Sequence, residues 1–227
     1  MPMEIYSDLR TPEIKVFYSP VIELVCAVHL LTDPAHHQYE IKWAEEMISM
    51  LGTEELEALE NIRHYPNGGI EFLNYVLESK ELLSIENFIY YINNSDKADF
   101  FYYLLNESID KERIKKAFNN KNERYKIQEK IKWIVEEDML MNFFDNPEEI
   151  KNEAVAILKA VYQKGFLDRL DQGADRLGEG VSYVNDFIGK DTIEVVLEKI
   201  TGKPKRVFSG YREYYIIPSY FVSPRLI

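Results

Sequence analysis

Cysteine is almost missing from this chain: Cys26 is the sole thiol in 227 residues, so no internal disulfide forms and no CxxC or CxC metal pair exists. A His-Glu-x-x-His motif is absent too, as is any Gly-Lys-Ser or Gly-Lys-Thr loop. Those gaps remove the signatures of zinc hydrolases and P-loop nucleotide enzymes. No stretch approaches the roughly 18 uninterrupted apolar residues of a membrane span, and residues 1–8 carry neither a basic nor an apolar leader. A cytoplasmic protein with no membrane partner is the expectation. Positive charge is scarce, with 27 Lys and Arg against 39 Asp and Glu and a formal net charge of -12. Such a surface opposes the phosphate backbone, so this segment is expected not to read DNA directly.

What is present is enough to fold. A 46% hydrophobic and 29% charged composition lies far from the disordered range, and a chain of this length buries a core without staples. Residues 12–18 alternate in the manner of a short strand, with Ile14, Val16 and Tyr18 on one face. Ser19-Pro20 then pairs an N-cap with a first-turn proline, predicting a helix over 21–31 that is apolar nearly all round and therefore buried. Residues 38–51 place Ile41, Ala44, Met47, Ile48 and Leu51 at helical spacing. A third helix follows Thr53, and Pro66-Asn67-Gly68-Gly69 forms a turn.

Helices are further expected over 70–78, 85–92 and 98–105, through the locally basic stretch 110–132, and in a long run to Phe144. Asn146-Pro147-Glu148-Glu149 opens another, which runs past Gly165 or kinks there. The last covers 192–200 and stops at Gly202. Residues 206–208 and 214–217 read as a β-hairpin, and with the first strand they predict a small sheet joining the two ends. The fold class is thus mainly α, a single domain of about nine to eleven helices over 1–227 with a small sheet from about 12–18 and 205–217.

The line from Thr11 to Pro20, running into Glu23-Leu24 and then His29-Leu30-Leu31-Thr32-Asp33-Pro34-Ala35-His36-His37 with Trp43 after it, resembles a known opening. It is similar to the long N-terminal domain found ahead of the winged helix in a subset of bacterial ArsR-type transcriptional regulators. The ending Ile217-Pro218-Ser219-Tyr220-Phe221-Val222-Ser223-Pro224 looks like the segment leading towards that winged helix. The resemblance implies an effector-sensing or dimerisation domain that is not an enzyme. It implies a homodimer, an unknown small-molecule effector, and DNA contact only through a winged-helix module beyond Ile227. No DNA-contact residue is carried over, because no helix-turn-helix signature is present.

Several residues invite chemistry. Cys26, His29 and Asp33 fall on one helical face and are a conceivable metal set, although a buried thiol and histidine on an apolar helix usually only pack. No metal or cofactor is expected. His36 and His37 read as a turn in which an imidazole satisfies the helix end, or as ligand contacts. Glu136, Glu137 and Asp138 point about 100° apart and cannot share a site. Consecutive aromatics such as Tyr90-Tyr91 and Phe100 to Tyr103 cannot all face one core, so some line a cavity, an interface or water. The ligand-binding candidates are His36, His37, Trp43, Tyr91 and Tyr103. A small-molecule enzyme with dispersed site residues, and a pure protein-interaction domain, are the alternatives.

Overall fold

A computed structural model describes residues 13–16, 18–78, 84–202 and 213–222. Among them the chain is mainly helical, with twelve α-helical segments and one pair of short strands. Where the sequence reads as one domain, the backbone gathers into two compact units. Of the described residues, the larger holds 19–78, 84–172 and 221–222, and the smaller holds 13–16, 18, 173–202 and 213–220.

In the larger unit, α1 (Pro20–Thr32) forms as its sequence demands. The Ser19 hydroxyl accepts the Ile22 N–H at 3.3 Å, and Pro20 sits at the first helical position. Eleven of its thirteen residues are buried. Five further helices follow: α2 (Ile41–Met50), α3 (Thr53–Arg63), α4 (Leu73–Glu78), α5 (Ile85–Asn94) and α6 (Lys97–Leu104). Then come α7 (Lys111–Ala117), α8 (Lys121–Ile131), α9 (Glu137–Asp145) and α10 (Pro147–Val161). Helices α2, α3, α4, α5 and α10 all pack on α1. Beyond them an aromatic core surrounds Phe101, whose ring lies 5.3 Å from Phe100, 5.5 Å from Phe143 and 5.8 Å from Phe118.

The expected long helix to Phe144 is interrupted. The chain turns over 132–136 before α9 begins, and the Gln128 side-chain amide donates to the Val135 carbonyl at 3.1 Å within the break. Periodicity alone missed it because apolar Ile127, Ile131 and Val135, all buried, keep a helical spacing across the turn. Most lysines of the basic stretch are exposed, but Arg124 points inward. It donates to the Ala117 carbonyl at 2.8 Å and the Phe118 carbonyl at 3.0 Å, and pairs with Asp145 at 2.5 Å, tying the ends of α7 and α9.

Helix α10 is followed by a five-residue π turn, Tyr162–Phe166, in which Lys164 (φ -104°, ψ 30°) and Gly165 (φ 109°, ψ 7°) leave helical geometry, so α11 (Leu167–Asn185) starts across a kink. Of the two expectations for Gly165, running on or kinking, the kink is the one found. Asn146 precedes α10 as expected but makes no side-chain cap. Its amide donates to Asn142 at 2.7 Å instead.

The smaller unit holds the end of α11, then α12 (Ile193–Thr201), and the strands β1 (Glu13–Val16) and β2 (Glu213–Ile216). The strands pair in parallel with Glu13 opposite Glu213 and Val16 opposite Ile216. A sheet built from the two ends is therefore present. The other arm expected for the hairpin, 206–208, lies outside the described residues. Gly202 ends α12 in the left-handed region at φ 67°. Gly173 lets α11 pass close to Tyr220, since a Cβ there would stand 2.6 Å from the ring.

Gly165 adopts φ 109° inside the π turn, and nothing lies within 4 Å of where its Cβ would be. The demand for glycine is thus conformational and not steric. Gly165→Ala is expected to cost about 1 to 3 kcal/mol in urea unfolding, and an unchanged midpoint would show that the turn relaxes freely.

Candidate functional site

Helix α1 ends where Asp33 breaks the helical backbone and Pro34 starts a short 3-10 turn, Pro34–His36. That turn leads the chain away and leaves an open groove of about 320 Å³ bounded by α1, α2 and α3. Leu31, Thr32, Pro34, Ile48, Leu56 and Leu59 line it. Glu60 and Arg63 line the rest. Helical spacing puts both on the outer face of the last two turns of α3. Glu60 faces Arg63 at 3.5 Å and His64 at 3.4 Å.

Behind this groove lies a polar knot. The Thr32 hydroxyl donates to the His29 carbonyl at 2.7 Å, and His29 Nδ1 sits 3.2 Å from the Gly68 carbonyl, which makes that nitrogen the protonated one. Gly68 has φ 61°, and a Cβ there would stand 2.8 Å from the Thr32 hydroxyl and 3.2 Å from His29 Nδ1. Glycine alone allows this close approach. The His37 ring, buried, meets His29 edge-on at 5.4 Å.

Glu71 closes the same turn from within. It is 2% exposed. One carboxyl oxygen accepts the Asn67 N–H, while the other has no hydrogen-bond partner. Burial pushes its pKa up from 4.5 to about 7, with backbone hydrogen bonds at Asn67 and Gly69 partly offsetting the rise. Because the folded chain holds this proton more tightly than the unfolded chain, the resulting stability is fully present below pH 4.5 and is lost as pH rises through about 7. The swing is on the order of 3 kcal/mol. Glu71→Gln, which mimics the protonated acid, is expected to flatten the pH dependence of unfolding between pH 5 and 8 and to raise stability most at the alkaline end. A wild-type slope retained in the variant would place the titration elsewhere.

Helix α2, the outer wall of the groove, buries only Trp43, Ala44 and Met47. It is gripped at both ends. At its start the buried Glu40 accepts from Arg169 Nε at 2.8 Å and Nη2 at 3.0 Å, a bidentate pair. At its end Lys164, in the π turn, donates to the Met50 carbonyl at 2.9 Å and pairs with Glu55 at 2.5 Å. Midway, the Trp43 ring lies 4.8 Å from Phe221, and Phe221 stacks on Phe166 of the π turn at 5.5 Å. Phe221 is 1% exposed. A ring from the end of the described chain is therefore locked between the groove wall and the kink.

None of the five expected ligand residues lines the groove. His36 is exposed and paired with Asp33. His37 is buried against His29, and Trp43 belongs to the clamp on Phe221. Tyr91 and Tyr103 meet elsewhere, around Tyr75, at 5.9 and 4.1 Å. The aromatics among them contact other rings, and the groove opens beside the end of α1 between α2 and α3. Glu71 and Arg63 gave no local signal, since a buried carboxylate and an exposed arginine look alike in a sequence.

Among the described residues no cluster of three or more His, Cys, Asp or Glu side chains is placed to hold a metal ion. Gly173, Gly178 and Gly180 all lie inside α11, which leaves no glycine loop for a phosphate there. No described helix is long and apolar enough to cross a membrane. No protein-family model, curated protein or solved structure matches the chain.

Proposed function

We propose that this chain is the effector-sensing domain of an ArsR-like transcriptional regulator, performing no catalysis and no DNA reading of its own. A small molecule enters the α1–α2–α3 groove, and a winged-helix module outside the segment meets DNA. The opening from Thr11 to His37 supports the family, and one structural observation supports the sensing: α2 both walls the groove and clamps Phe221 through Trp43. Phe221 follows Tyr220, which belongs to the smaller unit with β2. A ligand that prefers one position of α2 thereby biases the hold on the chain leaving the larger unit. It shifts the equilibrium only by its difference in affinity for the two arrangements. In a homodimer the same bias would alter the spacing of two attached DNA readers.

The enzyme alternative draws on Glu71, whose raised pKa is a common property of acid-base groups. Glu71 is not among the groove residues, so binding remains the better reading. A metabolite mixture screened by thermal shift, followed by hydrogen exchange and product analysis, tests it. The expected outcome is a compound that raises the melting temperature, slows exchange in both Ile41–Met50 and the segment around Phe221, and is recovered unchanged. Consumption of that compound, or stabilisation that leaves α2 exchange untouched, contradicts it.

A further inference from the structure

We propose that the chain pairs with a second copy of itself about a two-fold axis at Trp133, the end of α8 on one copy facing the start of α9 on the other. This rests on the homodimer of the sensing reading for its purpose and names the surface that makes it; the pairing itself is testable without a ligand.

Trp133 lies in the turn between α8 and α9 and is 80% exposed. The ring is nevertheless held, because its indole Nε1 donates to the Lys130 carbonyl at 3.2 Å. A held ring gives up little freedom when a partner covers it. Tyr125, earlier on α8, is exposed as well. Tryptophan and tyrosine are enriched at the energetic centres of interfaces, where charged residues form the rim.

The charges on the two sides of this ring have opposite sign. Before it, the Lys130 ammonium donates to the Ser108 carbonyl at 2.7 Å and to no carboxylate among the described residues, and Lys132 meets Glu129 at a loose 3.7 Å. After it, Glu136, Glu137 and Asp138 are exposed, and among the described residues no ion pair joins them to a base. Their carboxylates suit the start of α9, and they keep their charge free for a partner. A surface ordered base, aromatic, acid is complementary to itself after half a turn: each basic side meets an acidic one, and the two indoles meet at the axis. Net charge points to the same occupant. At -12, two copies repel over most of their surface, so self-contact belongs beside the one locally basic stretch, 110–132. A polyanion would meet the three acids beyond the ring and a polycation the lysines before it, whereas a second copy satisfies both.

Analytical ultracentrifugation of the full chain over a concentration series tests this. A monomer–dimer equilibrium is expected, and Trp133→Ala is expected to raise its dissociation constant about thirtyfold. Lys130→Glu with Lys132→Glu in one variant, and Glu136→Lys with Glu137→Lys in another, are each expected to be monomeric, with circular dichroism confirming the fold. Mixing these two variants is expected to restore a dimer holding one of each, because every like-charge contact then becomes an opposite one. Misfolded chains cannot give that result. A strict monomer, a dimer indifferent to Trp133→Ala, or charge variants that stay apart when mixed would each overturn the assignment. If the chain dimerises through another face while a metabolite slows exchange in α2, this surface falls and sensing stands. If Trp133 holds the dimer and no metabolite moves α2, sensing falls and the surface stands.

Discussion

Helix α1 has almost no face left for water, and the larger unit is arranged around that fact. A helix apolar on every side is stable only when other elements enclose it, and α2, α3, α4, α5 and α10 do so. Where α1 stops at Thr32, the chain turns off through Pro34 and a groove opens beside the helix end, with Leu31 and Thr32 themselves still buried.

The wall of that groove is held differently from the rest. Helices α1 and α10 are fixed by area, each burying eight or more residues, whereas α2 buries three. Directional contacts make up the difference. The Glu40–Arg169 pair is partly buried, with Glu40 4% exposed, and removing either partner strands a charge. The Trp43–Phe221–Phe166 contacts work through shape and ring geometry. Contacts of this kind are lost abruptly with small displacements, so α2 is suited to having a second position, and α1 is not.

The sequence carried the framework because the framework rests on local signals. Ser19-Pro20, the apolar run behind it, the Gly68-Gly69 turn and Gly202 each have a residue-level cause, and each stands where expected. The break between α8 and α9 was hidden because apolar spacing persists through it. Glu71, Arg124 and Arg169 were illegible for another reason: what they do depends on carbonyls and carboxylates far along the chain, as with the 129 residues separating Arg169 from Glu40. The aromatic excess is taken up largely by contacts among the rings themselves. Tyr91 and Tyr103 both pack on Tyr75, while Trp43 packs on Phe221, far along the chain.

The account stands on one coupling, that the grip on Phe221 and the order of α2 are the same event. Residue-resolved hydrogen exchange on Phe221→Leu, without any ligand, measures it most directly. Faster exchange confined to Ile41–Met50 and the π turn, with α5 through α9 protected as before, is the predicted result. Uniform loosening of the whole unit, or no change in α2 at all, would contradict it.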